Sequence, residues 1–157
     1  MLESPKIVRA TAQPAAVIRL TVPRSEIRSV MEPGHHEILS TLEAQGVAPA
    51  GPWFTHHLKM DPAVFDFEIG VPVSGAVAPA GRVRAGELPA GTVARVVYRG
   101  PYEGLPAAWG EFTSWVEREG HTPRADLWER YVVGPEAEPD PANWRTELNR
   151  PLARRAP

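Results

Sequence analysis

Val83-Arg84-Ala85, followed by Pro89-Ala90, repeats an earlier stretch, Val8-Arg9-Ala10 followed by Pro14-Ala15. Further matches follow in the same order. Leu42-Glu43-Ala44-Gln45-Gly46 resembles Val116-Glu117-Arg118-Glu119-Gly120, and Pro49 matches Pro123 at the same shift. Glu68-Ile69-Gly70-Val71-Pro72-Val73 resembles Glu147-Leu148-Asn149-Arg150-Pro151-Leu152, with the extra residues of the second copy falling in the loop from Gly134 to Pro141. Ordered self-similarity of this kind reads as an internal duplication. The copies run over about 5–73 and 82–152. Residues 74–81, rich in Gly, Ala and Pro, read as the linker, and 153–157 as a short tail. The expected whole is a single domain, residues 1–157, made of two repeats.

Each copy has the same coarse pattern. A short strand opens it, near Lys6–Ala10 and Arg82–Ala85. A turn at Pro14 or Pro89 leads into a second strand, Ala16–Val22 or Thr92–Tyr98. A helix follows. In the second copy Leu105, Trp109, Phe112 and Val116 form one helical stripe, and Gly120 is the stop. In the first copy Ile38 and Leu42 lie on the stripe and Gly46 stops it. That helix is expected to begin near His35, because Pro33-Gly34 breaks anything earlier, with Ser25–Glu32 a separate short turn. Two more strands close each copy, Pro52–Met60 with Phe65–Val73 and Asp126–Gly134 with Asn143–Leu152. Each pair is joined through Asp-Pro, a turn initiator. The expected class is α+β: a duplicated ββαββ-like module with a curved, mainly antiparallel sheet, two helices on one face and a ligand cleft between the halves.

Composition narrows the function classes. The 157 residues include 18 Pro and 13 Gly, which disfavours a helical bundle. Seventeen basic and nineteen acidic residues give a net charge of -2, so no electrostatic footprint for direct nucleic acid binding is expected. The absence of cysteine excludes disulfides, thiol catalysis and Cys-ligated zinc, and fits a cytoplasmic protein. No apolar signal core follows MLESPKIVRA, and no apolar run is long enough to span a membrane. His35-His36 and His56-His57 are adjacent pairs whose members diverge, and no HExxH occurs, so no metal is expected. Neither GxxxxGK[ST], GxGxxG nor GxSxG is present, so no nucleotide cofactor and no esterase elbow is expected.

The closing strand of each copy carries the candidate chemistry. Phe65, Phe67, Ile69, Val71 and Val73 alternate with Asp66 and Glu68, and Trp144, Leu148 and Leu152 oppose Arg145, Glu147 and Asn149. With the apolar sets toward the helices, Glu68 and Glu147 fall on the helix-free face at matching places. They are either solvated strand carboxylates or a pair approaching a common cleft.

Several short motifs then carry a family resemblance. Gly100-Pro101-Tyr102-Glu103-Gly104-Leu105, Trp128-Glu129-Arg130-Tyr131, Trp144-Arg145-Thr146-Glu147-Leu148 and Asp66-Phe67-Glu68-Ile69-Gly70-Val71-Pro72-Val73 resemble the GyrI-like small-molecule-binding domains. This is the effector-binding fold attached to AraC-type and MerR-type regulators, and the resemblance covers about residues 5–152. It implies a cleft that takes lipophilic, often cationic, ligands against aromatic walls and an acidic residue. Carried over, the acidic candidates are Glu147 and Glu68, which would also be the catalytic candidates of an enzyme. The wall candidates are Tyr102, Trp109, Tyr131, Trp53 and His57, the last standing where the second copy has Tyr131. Trp109 also lies on the helix stripe, where a core role competes; Trp115, Phe112 and Trp128 read as core.

The resemblance leaves three activities open. One is binding of a lipophilic or cationic small molecule, as in a drug- or xenobiotic-binding module. Another is hydrolysis of strained cyclopropane rings in electrophilic natural products. The third is a gyrase-inhibitor-like protein contact. With 157 residues and no helix-turn-helix before the domain, the chain is not expected to be a regulator itself. Four of the five Trp fall in the second copy, so the second half is expected to supply more of the pocket wall.

Overall fold

A computed structural model describes residues 2–153; the basic tail Arg154-Arg155-Ala156-Pro157 lies outside the described residues. In chain order the elements are β1 (Lys6–Ala10), β2 (Gln13–Pro23), α1 (Ile27–Gln45), β3 (Phe54–Met60), β4 (Val64–Pro72), β5 (Arg84–Leu88), β6 (Gly91–Arg99), α2 (Leu105–Arg118), β7 (Leu127–Val133) and β8 (Arg145–Pro151). Short 3-10 turns precede α1 at Arg24–Glu26, α2 at Tyr102–Gly104 and β8 at Pro141–Asn143. The α+β class read from the sequence is the one observed.

The chain divides into two compact units. One is the continuous segment Thr11–Ala90. The other combines the residues up to Ala10 with those from Gly91 onward. In the first, the strands run in the order β3-β4-β2-β5, all antiparallel. In the second the order is β1-β6-β8-β7, again all antiparallel. The opening strands are therefore exchanged with respect to the sequence copies. β1 lies against β6, with Lys6 opposite Arg95, and β5 lies against β2, with Leu88 opposite Gln13.

Both hairpins turn where Asp-Pro predicts. Asp61 Oδ1 accepts hydrogen bonds from the Ala63 and Val64 amides at 2.8 and 3.3 Å, and Asp140 Oδ1 accepts from the Ala142 amide at 3.0 Å. The register shifts by one bulged residue at the same place in each, between His57 and Lys59 and between Tyr131 and Val133. Both helices end on a left-handed glycine, Gly46 at φ 70° and Gly120 at φ 81°. The following amides close back on the helix, Val47 to the Leu42 carbonyl and His121 to the Val116 carbonyl.

Some boundaries depart from the sequence reading: Pro14 lies within β2 rather than in a turn before it, and β5 runs over Arg84–Leu88 rather than Arg82–Ala85. α1 does not begin at His35; it runs unbroken through Pro33 and Gly34 from Ile27. An interior proline costs about 3 kcal/mol. Packing offsets that cost: Ile27, Val30 and Leu39 join Ile38 and Leu42 against Phe67, Ile69 and Val71 of β4. Gly34 is buried there, and a side chain at this position would collide with that of Ile69. The glycine that reads as a breaker is the point at which the helix approaches the sheet.

In the other unit the α2 stripe behaves as its spacing predicts. Ala108, Phe112 and Val116 are buried against Ala94, Val96, Tyr98 and Leu148, with Leu105, Trp109 and Trp115 partly buried at the margin. Each helix thus covers one face of its own four-stranded sheet. The opposite faces are not bare: Phe54 and Trp128, at matching places near the starts of β3 and β7, are both fully or almost fully buried.

Candidate functional site

Side-chain parity places one carboxylate apart from the others. In β7, Trp128 and Arg130 share the face of Asn149 and Glu147, which they oppose across the β7–β8 ladder. Glu129 and Tyr131 lie on the other face, opposite Leu148 and Thr146, under α2. There the Trp109 indole donates from Nε1 to Glu129 Oε2 at 2.6 Å, and the Tyr131 hydroxyl donates to Glu129 Oε1 at 2.8 Å. The Tyr102 ring meets Tyr131 edge-on at 5.9 Å and Trp144 at 4.8 Å. Two aromatic side chains thus bond one glutamate on the helix-bearing face, and ring contacts run on from Tyr131 through Tyr102 to Trp144.

Local sequence fixes this arrangement. Trp109 sits one turn before Phe112, whose burial orients α2. Tyr102 stands on the 3-10 turn entering α2. That turn is pinned by the Tyr98 hydroxyl, which donates to the Pro101 carbonyl at 2.8 Å. A side chain at Gly104 would collide with the same hydroxyl, so the turn closes over Tyr98 only with glycine there. Trp144 is held by its indole, which donates to the Glu138 carbonyl at 2.8 Å.

Glu129 keeps some residue surface open to solvent, while its carboxyl group is enclosed by protein. Burial pushes its pKa above the usual carboxylate range, against the opposing effect of the Trp109 and Tyr131 donors. Both donors are neutral, and among the described residues no basic side chain pairs with Glu129. An enclosed carboxyl without a countercharge, walled by aromatic faces, is suited to a cation from outside.

A family model described as the GyrI-like small molecule binding domain matches residues 3–153. The chain belongs to this family. Solved structures agree in fold. The C-terminal domain of EcmrR is 22% identical with a TM-score of 0.85, over 97% of this chain and 98% of that domain. A longer EcmrR chain, in a cryo-EM complex with DNA, is 23% identical with a TM-score of 0.84. This chain spans only 58% of its length. SAV2435 bound to tetraphenylphosphonium is 10% identical with a TM-score of 0.70, over 96% of this chain and 94% of that one. A structure described as a hydrolase from Listeria innocua is 11% identical with a TM-score of 0.68, over 95% and 91%. No curated protein sequence matches. No helix among the described residues is long and apolar enough to cross a membrane, and no group of three or more His, Asp or Glu among them is arranged to hold a metal.

In this GyrI-like domain the residues singled out from sequence fall in several places. Tyr102, Trp109 and Tyr131 come together around Glu129. Glu147 lies on the other face of the same sheet, as expected, but it is occupied. Its Oε1 accepts from Arg130 Nη1 at 3.0 Å and Asn149 Nδ2 at 3.1 Å, and Arg95 Nε lies 3.3 Å away. Two guanidiniums neutralise it, so it is not the unpaired anion the aromatic cluster surrounds. Glu68 lies on the helix-free face of the Thr11–Ala90 unit, 3.9 Å from His56 Nδ1. Trp53 stacks on His35 at 4.3 Å and 6° between planes, and His57 stacks on Phe67 at 5.3 Å and 16°.

Sequence reading missed Glu129, although the parity signal was available. Tyr131, two residues on in the same strand, points the same way. The apolar alternation is cleaner around Glu68 in β4 and Glu147 in β8 than around Glu129 in β7.

His57 makes a separate prediction. Burial, followed by the nearby His56 and Arg24, holds its pKa down at about 4 from an ordinary 6.5. The folded chain therefore binds fewer protons at His57 than the unfolded chain between those values. The His57 share of stability rises with pH across this window, and up to about 3 kcal/mol of it is lost as pH falls through it. Urea unfolding of the wild type and His57→Phe from pH 7 down to pH 4 should show this share as the difference between the two. Asp66, whose carboxyl is held low by its hydrogen bonds from Arg19, adds its own loss only below about pH 3.8.

Proposed function

We propose that the protein binds a lipophilic organic cation against the helix-bearing face of α2 and β7, with Glu129 as the countercharge and Trp109, Tyr131, Tyr102 and Trp144 as the aromatic wall. The observation that carries this reading is the enclosed Glu129 carboxyl, hydrogen-bonded only by two neutral aromatic donors. Membership of a small-molecule-binding family supports it, as does a structural neighbour bound to tetraphenylphosphonium. A cation over an aromatic face gains about 0.5–2 kcal/mol, more when desolvated. Calorimetric titration with tetraphenylphosphonium tests it. Glu147→Gln and Glu68→Gln should keep wild-type affinity, and Glu129→Gln should lose it. Equal affinity in all three variants would remove the role given to Glu129, and no heat with the wild type would remove the reading.

The same carboxyl favours a second reading. Held toward its protonated form, Glu129 is placed to act as a general acid, as opening of a strained cyclopropane ring by water requires. A neighbour of this fold is described as a hydrolase. Incubation with a cyclopropane-bearing alkylator should then give the adduct of one water by mass spectrometry, and Glu129→Gln should abolish it. An unchanged alkylator would leave binding as the activity.

A further inference from the structure

The loop Gly134–Trp144, between β7 and β8, is far longer than its counterpart Asp61–Ala63 between β3 and β4. It brings three carboxylates, Glu136, Glu138 and Asp140, beside the aromatic cluster. Two of them build the loop. Glu138 Oε1 accepts from the Asp140 amide and Asp140 Oδ1 from the Ala142 amide, both at 3.0 Å. The Ala137 and Glu138 amides both donate to the Gly134 carbonyl at 3.0 Å, and the Glu138 carbonyl receives the Trp144 indole at 2.8 Å. The loop is thus a folded lip tied to one of the four aromatic residues.

Glu136 takes no part in this bonding, and among the described residues its carboxylate has no hydrogen-bond or ion-pair partner. Its position is nevertheless set. A β-carbon on Gly134 would stand 3.1 Å from both the Tyr102 hydroxyl oxygen and Glu136 Oε2. Gly134 is buried, and its lack of a side chain lets both oxygens approach the same point. Glu136 is therefore an exposed carboxylate close to the Tyr102 hydroxyl, while Glu129 is the more buried one, bonded by Tyr131.

We propose that Glu136 is a specificity residue, and that the site prefers ligands carrying a second positive charge on a flexible arm beyond the lipophilic cation. This rests on the cation-binding reading above. The enclosed carboxyl takes the charge embedded in the aromatic body, and the exposed one takes an ammonium or guanidinium extending over Tyr102. The contact is exposed, so it adds selectivity and salt dependence rather than most of the affinity.

A matched pair of ligands tests it: pentyltriphenylphosphonium and aminobutyl-triphenylphosphonium, nearly equal in length and differing by the terminal ammonium. The wild type should bind the amino compound about two- to fivefold more tightly at low salt, and the preference should shrink in high salt. Glu136→Gln should erase the preference and leave the affinity for the pentyl compound unchanged. Glu129→Gln should weaken both ligands. Absence of the preference in the wild type, or its survival in Glu136→Gln, overturns the inference while the cation-binding reading stands. Failure of both ligands to bind the wild type overturns both.

Discussion

Glu129→Gln is expected to weaken tetraphenylphosphonium binding by roughly tenfold to a hundredfold, the size of a lost charge-assisted contact, without lowering the stability of the free protein. The substitution suits the site. The amide oxygen can keep the Trp109 indole bond, and the Tyr131 hydroxyl can rotate to accept from the amide nitrogen. Because burial raises the Glu129 pKa, the folded chain holds its proton to higher pH than the unfolded chain does. Glu129 therefore takes stability from the free wild type as pH rises from the ordinary carboxylate value through the raised one, against the gain from His57. The glutamine variant lacks this loss. A cation reverses the preference by favouring the ionised form, so wild-type affinity should climb with pH through the raised pKa and then level off, while any residual affinity of the variant stays flat. Thermal melts and titrations on the two proteins from pH 4 to pH 9 check both slopes. A variant that melts well below the wild type, with affinity following its folded fraction, would make Glu129 a structural residue only.

Gly70→Ala is expected to destabilise the protein by about 3 kcal/mol, at the upper end of overpacking effects, and to lower the melting temperature by roughly 6–12 °C. Gly70 pairs directly with Phe54 across β3 and β4, and the Phe54 ring lies flat over the place where a β-carbon would stand. Three ring carbons would be in collision, and Phe54 is completely buried. The gain from a stiffer unfolded chain, up to about 1 kcal/mol, does not compensate. Combining Gly70→Ala with Phe54→Leu should recover part of the loss. A melt unchanged in the single variant would show that the ring can move aside.

Much of this architecture is legible from the sequence because the deciding forces are local. The α2 stripe, the glycines at 46 and 120 and the two Asp-Pro turns each fix their own geometry within a few residues. The features that escaped depend on distant partners. Nothing within Arg24–His36 reveals that Ile69 needs the small Gly34 beneath it, so the helix was read as starting late. The strands at Val8 and Val83 are near-copies, and a strand cannot show from its own residues which of two equivalent edges it joins. Glu129 and Glu147 look alike in sequence. The difference between them is the pair of arginines, Arg95 and Arg130, that only the folded sheet brings to Glu147. The pairing of Tyr131 with Glu129, by contrast, was readable from strand parity alone.

The exchanged opening strands also dictate an order of assembly. Thr11–Ala90 is continuous and can complete its sheet as soon as Leu88 has left the ribosome. The other unit is interrupted by it, and its edge strand β1, although made before Thr11–Ala90, waits for β6 and β8. During synthesis β1 precedes an already folded Thr11–Ala90 segment with its strand partners still unmade. The long closure between Lys6 and Arg95 is then the late, entropically costly step. A ribosome-stalled chain ending just after Ala90 should accordingly resist protease within Thr11–Ala90 and be cleaved at Lys6–Ala10.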